Sequence, residues 1–531
     1  MHGAPRAVRL FVLARAAVLA IAALLLCRDL AGPFNTWHAV NDALYTEAAR
    51  NHVRYGLVAT RLYATYPVVP GEPPRRYVNH PPLVAVLTAV PLAVFGDHEW
   101  AARLMPILAT LGSTALLVTM LGRLGSPLLG LLAGFFFATL PLTEYFGRMV
   151  NHEAPVQFFS LLMLHGYLQW TSAYGPRYGA RRGALAWAAG TVLGIGTGWA
   201  VLLASGLVWC WHALRVRRRT AAPRPLLWLT LLPALTLAAV LVHILAGSGW
   251  DVGALVALVQ DRSVGGEGAR HGWLEWLAMQ RDDFASDFTW PGAIAALLSV
   301  PLVVLALLRR GDRRRWPWLP LTRGPAVVAA ICGLQGLLWV VLLKNQAWFH
   351  DYWQFYLGPY VAISLAALVQ LARQQLGRRA PRLAAAVVVV LLLAPMPFAA
   401  ATRDLYASRQ LVYPEYLQAL RMLGGLVPKG TPVWTSHHVR GEAVMARERR
   451  YPPHPVVAYY AERPVYFSRD LAEVRANAPG CAAYVLRRVD APWARAMEAA
   501  LGASFPSVRV GENHVIFLLT PPPASPPPGG R

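Results

Sequence analysis

Long apolar runs punctuated by arginine clusters constrain this chain more than any other feature does. Several runs approach or reach the roughly 18–20 residues that cross a bilayer. Of the 531 residues, 56% are hydrophobic and only 15% are charged. Average soluble domains carry about 25% charged residues. A soluble enzyme, a disordered chain and a fibrous protein are therefore excluded.

The formal net charge of +23 invites a nucleic-acid reading, which its distribution contradicts. Only Lys344 and Lys429 are lysines, so nearly all the basic residues are arginines. They fall in short clusters between apolar runs, at 6–15, 177–182, 215–224, 309–323 and 373–382. Such clusters set membrane orientation through the positive-inside bias. No base-reading module or aromatic RNA-binding signature is present, so no nucleic-acid partner is expected. The four cysteines, Cys27, Cys210, Cys332 and Cys481, form no CxxC and suggest neither a disulfide framework nor a zinc site.

Apolar periodicity predicts helices over about 8–28, 100–121, 127–146, 154–172, 184–214, 225–246, 291–308, 325–343, 352–372 and 383–400. The run 184–214 is too long for one crossing at about 1.5 Å per residue. Gly194, Gly196 and Gly198 offer a break inside it, which brings the total to about eleven crossings. The N-terminal run has no convincing cleavage site and reads as an uncleaved first helix. With its basic end inside, the arginine clusters fall on alternate, cytoplasmic loops. The apolar stretch 83–95 between Pro82 and Gly96 is too short to span and reads as an interfacial helix.

The expected fold is an α-helical polytopic membrane protein with a small C-terminal α/β domain outside the cytoplasm. Residues 1–400 form the membrane domain, with a large first outer loop at 29–99 and another outer loop at 247–290. Residues 401–520 form the α/β domain, with strand-like runs at Pro432–Thr435, Val456–Tyr460, Ala482–Leu486 and Val515–Leu519 and a helix around Ala491–Leu501. The Pro/Gly-rich tail 521–531 reads as disordered. The expected location is the inner (plasma) membrane, with the bilayer itself as a partner.

Candidate chemistry concentrates on the outer side. Asp42 opens the helical pattern Ala43–Tyr55. The plain reading makes Asn41 or Asp42 its N-cap; the functional reading makes Asp42 a general base. Glu153 stands at the mouth of the 154–172 helix, with Pro155 in the first turn. It reads either as a helix-terminal charge paired with Arg148 or as a carboxylate that shares a cavity with Asp42. His152 beside it reads as solvated. His80, ahead of Pro81-Pro82, falls at headgroup depth, where a phosphate could lie. His350-Asp351-Tyr352-Trp353 opens the 352–372 helix, as an interface belt or as a phosphate site at a helix N-terminus.

The string His80-Pro81-Pro82-Leu83, followed by Phe95-Gly96-x-x-Glu99-Trp100-x-x-Arg103-Leu104, resembles the polyprenyl-phosphate-sugar-dependent glycosyltransferases of the GT-C fold, family 39-like. Within that group the pattern is most similar to protein O-mannosyltransferases and lipid A aminoarabinose transferases. Arg148-x-x-x-x-Glu153 resembles the family's second-loop arginine and carboxylate. His350-Asp351-Tyr352-Trp353 resembles its late outer-loop motif. The resemblance spans roughly residues 35–370.

It implies an inverting transfer of a hexose or pentose from a polyprenyl phosphate to a lipid, glycan or protein acceptor. Asp42 and Glu153 would be catalytic, and His80, Arg148 and His350 would meet the donor phosphate. Asn41, Glu47, Glu99, Arg103, His152, Asp351 and Tyr352 are secondary candidates. The family places an Asp-Glu pair ahead of a tyrosine in the first loop. Counting back from Tyr45, this chain has Asn41 and Asp42 there, so Asp42 replaces the usual base from one register later, or Glu47 or Glu153 does. A lysine often precedes the Pro-Pro pair; here it is His80. No cofactor is expected, and a divalent metal is not implied, since His437-His438 stands without partners at ligand spacing. The competing class is a non-catalytic polyprenyl-lipid-binding protein or a transporter. A transporter would carry inverted repeats and charges at the bilayer midplane, whereas the notable charges here lie in outer loops.

Overall fold

The computed structural model describes residues 4–65, 76–174, 179–263, 271–308, 319–377, 380–428, 431–436, 455–463, 465–477 and 480–519. His437-His438 and the tail 521–531 lie outside them. The chain divides into two compact units. One comprises Met1–Gly32 and Val78–Tyr406, and the other comprises Pro33–Tyr77 and Ala407–Arg531.

The first unit is a bundle of apolar helices. Every predicted segment is helical, and the 184–214 run breaks at Gly198 into Ala180–Thr197 and Ala200–Arg217. Among the described residues, seven helices are long and apolar enough to cross a membrane. The chain is a multi-pass membrane protein. Prolines divide some of the predicted segments. Leu140 is extended ahead of Pro141, so 127–146 becomes Pro127–Thr139 and Pro141–Phe146. The expected helix at 352–372 is a 3-10 turn, Asp351–Leu357, followed by an α-helix, Gly358–Leu376. Pro359, which lacks an N–H, sits in the first turn of that α-helix. The segment Trp273–Phe288 and the predicted helix from Pro291 meet at Thr289, whose φ of 65° breaks the helical path.

Two helices that frame the candidate site pack backbone to backbone. Any Cβ at Gly166 of Glu153–Trp170 would strike the backbone of Trp187, and any Cβ at Gly183 or Gly190 would strike the backbone of Trp170 or Met163. Small residues at these crossings allow the close approach that holds helices together without a hydrophobic driving force in lipid.

The second unit carries a five-stranded sheet in the order Val465–Phe467, Val433–Thr435, Ala483–Arg487, His514–Leu518, Ser507–Val510. The first three strands run parallel, and the last two are antiparallel to their neighbours. Trp434, Tyr484, Met497, Leu501, Val515 and Phe517 belong to its core. The run read as a strand at Val456–Tyr460 is instead a helix, Pro455–Ala461. All seven of its residues are buried, so its sequence lacks the one-sided pattern that tells a helix from a buried strand.

The first-loop segment Pro33–Tyr77 is part of this unit. Asn35 pairs like a strand with Val412: its side chain donates to the Val412 carbonyl at 2.6 Å and accepts the Val412 N–H at 2.7 Å. The Phe34 N–H donates to the Tyr460 hydroxyl. Arg50 on the helix Ala39–Tyr55 donates to Glu47 at 2.6 Å and to the Tyr459 carbonyl at 3.1 Å, with its guanidinium over the Tyr459 ring.

Candidate functional site

Within the membrane unit, two proline-containing turns bring three polar side chains together. Pro81-Pro82 leads into the helix Leu83–Phe95 and leaves His80 buried at its entrance. Pro155 lies in the first turn of Glu153–Trp170, which sets Glu153 as the first helical residue and His152 as the N-cap. The imidazoles of His80 and His152 stack, with centroids 4.4 Å apart and planes 30° apart. His152 Nε2 lies 2.9 Å from Glu153 Oε1. The two make an ion-pair contact without hydrogen-bond alignment, and neither Glu153 oxygen has a hydrogen bond among the described residues. Glu153 is 0% exposed. A Cβ at Gly198, in the break between two helices, would press on Val156 and approach His152.

His350 stands within electrostatic reach of His80. Burial holds the His80 imidazole well below the usual histidine range, and the charges of His152, Arg262 and His350 push the same way. The His350 ring lies near Tyr352 and Trp353, at 5.0 and 5.5 Å. Arg148 is half-buried and within electrostatic reach of Glu144, which also lies 3.9 Å from Arg403.

These positions correct several expectations. The partner of Glu153 is His152 and not Arg148. His152 is buried rather than solvated, because its ring is sandwiched by local geometry between His80 and the Glu153 carboxylate. The helix that carries Asp42 begins earlier than its pattern suggests, at Ala39, with His38 as N-cap in the left-handed region. Neither Asn41 nor Asp42 is therefore the cap. Asp42 is a first-turn carboxylate, 6% exposed, in the second unit.

Other candidates have evident structural partners. Glu47 forms the buried clamp with Arg50. Arg103 donates to the carbonyls of Leu30 and Gly32, which ties its helix to the exit of the first one. Glu99 opens the helix Glu99–Leu124 and is partly exposed. Asp351 accepts the Tyr352 N–H at 2.7 Å, and Tyr352 packs against Phe146. Among the described residues, no group of three or more His, Cys, Asp or Glu side chains is arranged to hold a metal ion. Sequence reading passed over Arg262 and Gln157. A polar residue inside an apolar run was the available signal for Gln157.

Histidines and an arginine suit a phosphate, and a buried carboxylate with open lone pairs suits a hydroxyl donor.

The chain is similar to known proteins. Residues 79–243 match the family described as dolichyl-phosphate-mannose-protein mannosyltransferase. No curated protein sequence matches the chain. Among solved structures, ArnT from Cupriavidus metallidurans bound to undecaprenyl phosphate superposes with a TM-score of 0.60 at 12% identity, over 99% of this chain and 100% of that one. The oligosaccharyltransferase of Archaeoglobus fulgidus, tethered with an acceptor peptide containing the NVT sequon, gives a TM-score of 0.57 at 11% identity, over 89% of this chain and 69% of that one. These are GT-C glycosyltransferases, and this chain has the GT-C fold.

Proposed function

We propose that the chain is a membrane glycosyltransferase that moves a sugar from a polyprenyl-phosphate donor to an acceptor hydroxyl, with inversion. The observation that carries this reading is the buried His80–His152–Glu153 cluster, inside the segment that matches the mannosyltransferase family. The undecaprenyl phosphate bound by the ArnT neighbour supports the lipid class.

In this reading His80, Arg148 and His350 meet the donor phosphate, and Glu153 receives a sugar hydroxyl. Asp42 is assigned the base, on the resemblance of its motif. The acceptor oxygen attacks the anomeric carbon as the bond to the phosphate oxygen breaks. The lipid phosphate leaves with the electron pair, and the acceptor proton passes to the carboxylate. The donor is a phosphodiester with one negative charge; the departing polyprenyl phosphate gains a second as the anomeric C–O bond breaks, and its histidine and arginine partners compensate that developing charge.

In this reading the arginine clusters face the cytoplasm, and the reacting side and the α/β domain lie on the opposite face of the plasma membrane. A reporter active only in the cytoplasm, attached after Ala401, is expected to stay silent. Strong activity there reverses the orientation.

His80 supplies the test of the donor site. Its imidazole is neutral in the empty protein, and a bound anion favours the charged ring. Donor binding then takes up a proton, so affinity for a polyprenyl-phosphate sugar rises from pH 8 to pH 6. The slope is expected to vanish in His80→Gln. An unchanged slope in the variant removes His80 from the site. The empty protein shows the opposite sign, because a depressed histidine loses stability as pH falls below about 6.5.

A further inference from the structure

Beneath the histidines, the Glu153 helix carries a second polar residue that the chain itself does not satisfy. Gln157 lies one turn further into the membrane unit on the same helix face, about 6 Å along the axis from Glu153. It is 0% exposed, and neither its Oε1 nor its Nε2 has a hydrogen-bond partner among the described residues. The buried hydroxyl of Tyr356 also lacks one, as does the buried Asn151 Nδ2. Tyr356 lies within electrostatic reach of Glu153, on a turn that packs against the Glu153 helix.

The unsatisfied stretch has a floor. Ser160, the next polar residue on that face, accepts from Gln335 at 2.9 Å, and Gln335 also donates to the Ala200 carbonyl. One helical turn of donors and acceptors thus has no hydrogen-bond partner among the described residues, with satisfied groups below and the histidines at the helix mouth. A buried polar group without a partner is costly, the more so in a membrane protein, where water is scarce. Such a group signals a ligand.

We propose that Gln157 and Tyr356, with Glu153, form a subsite that reads the hydroxyl groups of the donor's sugar ring. This rests on the glycosyltransferase reading above. The mixed set of an amide, a phenol, a side-chain N–H and a carboxylate offers both donors and acceptors, as hydroxyls require. The Glu153 charge excludes a second anion, so the lipid phosphate belongs with the histidines and the neutral ring belongs beside Gln157. The two helix positions stand about 6 Å apart along the axis, a spacing that hydroxyls on a single sugar ring can meet. Gln157 is then a specificity-determining residue, since a site built to hydrogen-bond hydroxyls rejects an analogue that lacks them.

The test uses the full chain in nanodiscs and two probes, a polyprenyl phosphate and the same lipid carrying mannose. Gln157→Met keeps the volume and removes the amide. Its affinity for the bare lipid phosphate is expected to stay within about twofold of the parent. Its affinity for the mannosyl lipid is expected to fall by about 10–100-fold, the equivalent of one to two lost hydrogen bonds. The thermal transition of the empty variant stays level or rises, because an unsatisfied buried amide has gone. Tyr356→Phe is expected to show the same selective loss. Equal affinity of parent and both variants for the mannosyl lipid overturns the subsite and leaves water as the occupant. Loss of both lipids together with a lowered transition overturns it in favour of a structural role. A parent that binds neither lipid overturns the glycosyltransferase reading along with it.

Discussion

Asp42→Asn is expected to yield a folded, donor-binding protein whose turnover is lower by about 10²–10⁴-fold, the usual contribution of a general base. Asparagine keeps the shape and the hydrogen-bonding oxygen of aspartate but takes no proton at neutral pH. The structure separates this outcome from a capping effect. His38 is the N-cap of the helix Ala39–Tyr55, so no cap is lost at position 42. What is lost locally is a favourable charge in the first turn, about 0.3–1 kcal/mol. A thermal melt and a donor-binding isotherm close to those of the parent, with turnover nearly abolished, are the expected pair. Turnover at the parental rate refutes the base assignment and moves the search to Glu153.

Glu153→Gln is expected to act differently. A hydrogen bond to a charged group is worth about 1.5–3 kcal/mol. Replacing the carboxylate that receives the sugar hydroxyl should therefore lower kcat/KM by roughly 10–100-fold. Stability should hold or rise. The parental carboxylate is fully buried and, among the described residues, accepts no hydrogen bond, so its desolvation is poorly compensated. Functional sites commonly trade stability for activity in this way. Parental kcat/KM in the variant, or a fall in the melting transition that accounts for the whole loss, makes Glu153 a structural residue.

The helical bundle was legible because the bilayer imposes it. Apolar length and arginine punctuation are strong one-dimensional signals. Even the break in the 184–214 run followed from length and glycine alone, and Gly198 is where it occurs. Signals failed where burial is decided by distant chain. The helix of Asp42 starts four residues before the apolar-periodic stretch Ala43–Tyr55, with His38 in a left-handed conformation that its residue type does not announce. Pro455–Ala461 reads as a strand because a short, fully buried run has no polar face to give its period. The pairing of Asn35 with Val412 joins residues 377 apart, and nothing near either one foretells it.

The site divides along the same line. His80 and Glu153 could be found because each stands beside a proline that fixes a helix entrance. His152 was misjudged because a histidine in a loop carries no sign of whether a second imidazole will cover it. Gln157 was audible as a polar residue in an apolar helix, yet its meaning lies in having no partner, and only the packed structure shows that.

The central claim is transfer of sugar from a polyprenyl phosphate, and the most direct measurement follows both products of that bond exchange. The purified chain in vesicles receives a polyprenyl-phosphate sugar labelled in the sugar, with a pooled lipid, glycan and peptide acceptor fraction. The account predicts label on an acceptor, one polyprenyl phosphate released for each sugar moved, and an anomeric configuration opposite to that of the donor. Donor that binds or crosses the vesicle membrane with its sugar still attached, and with no polyprenyl phosphate released, contradicts it.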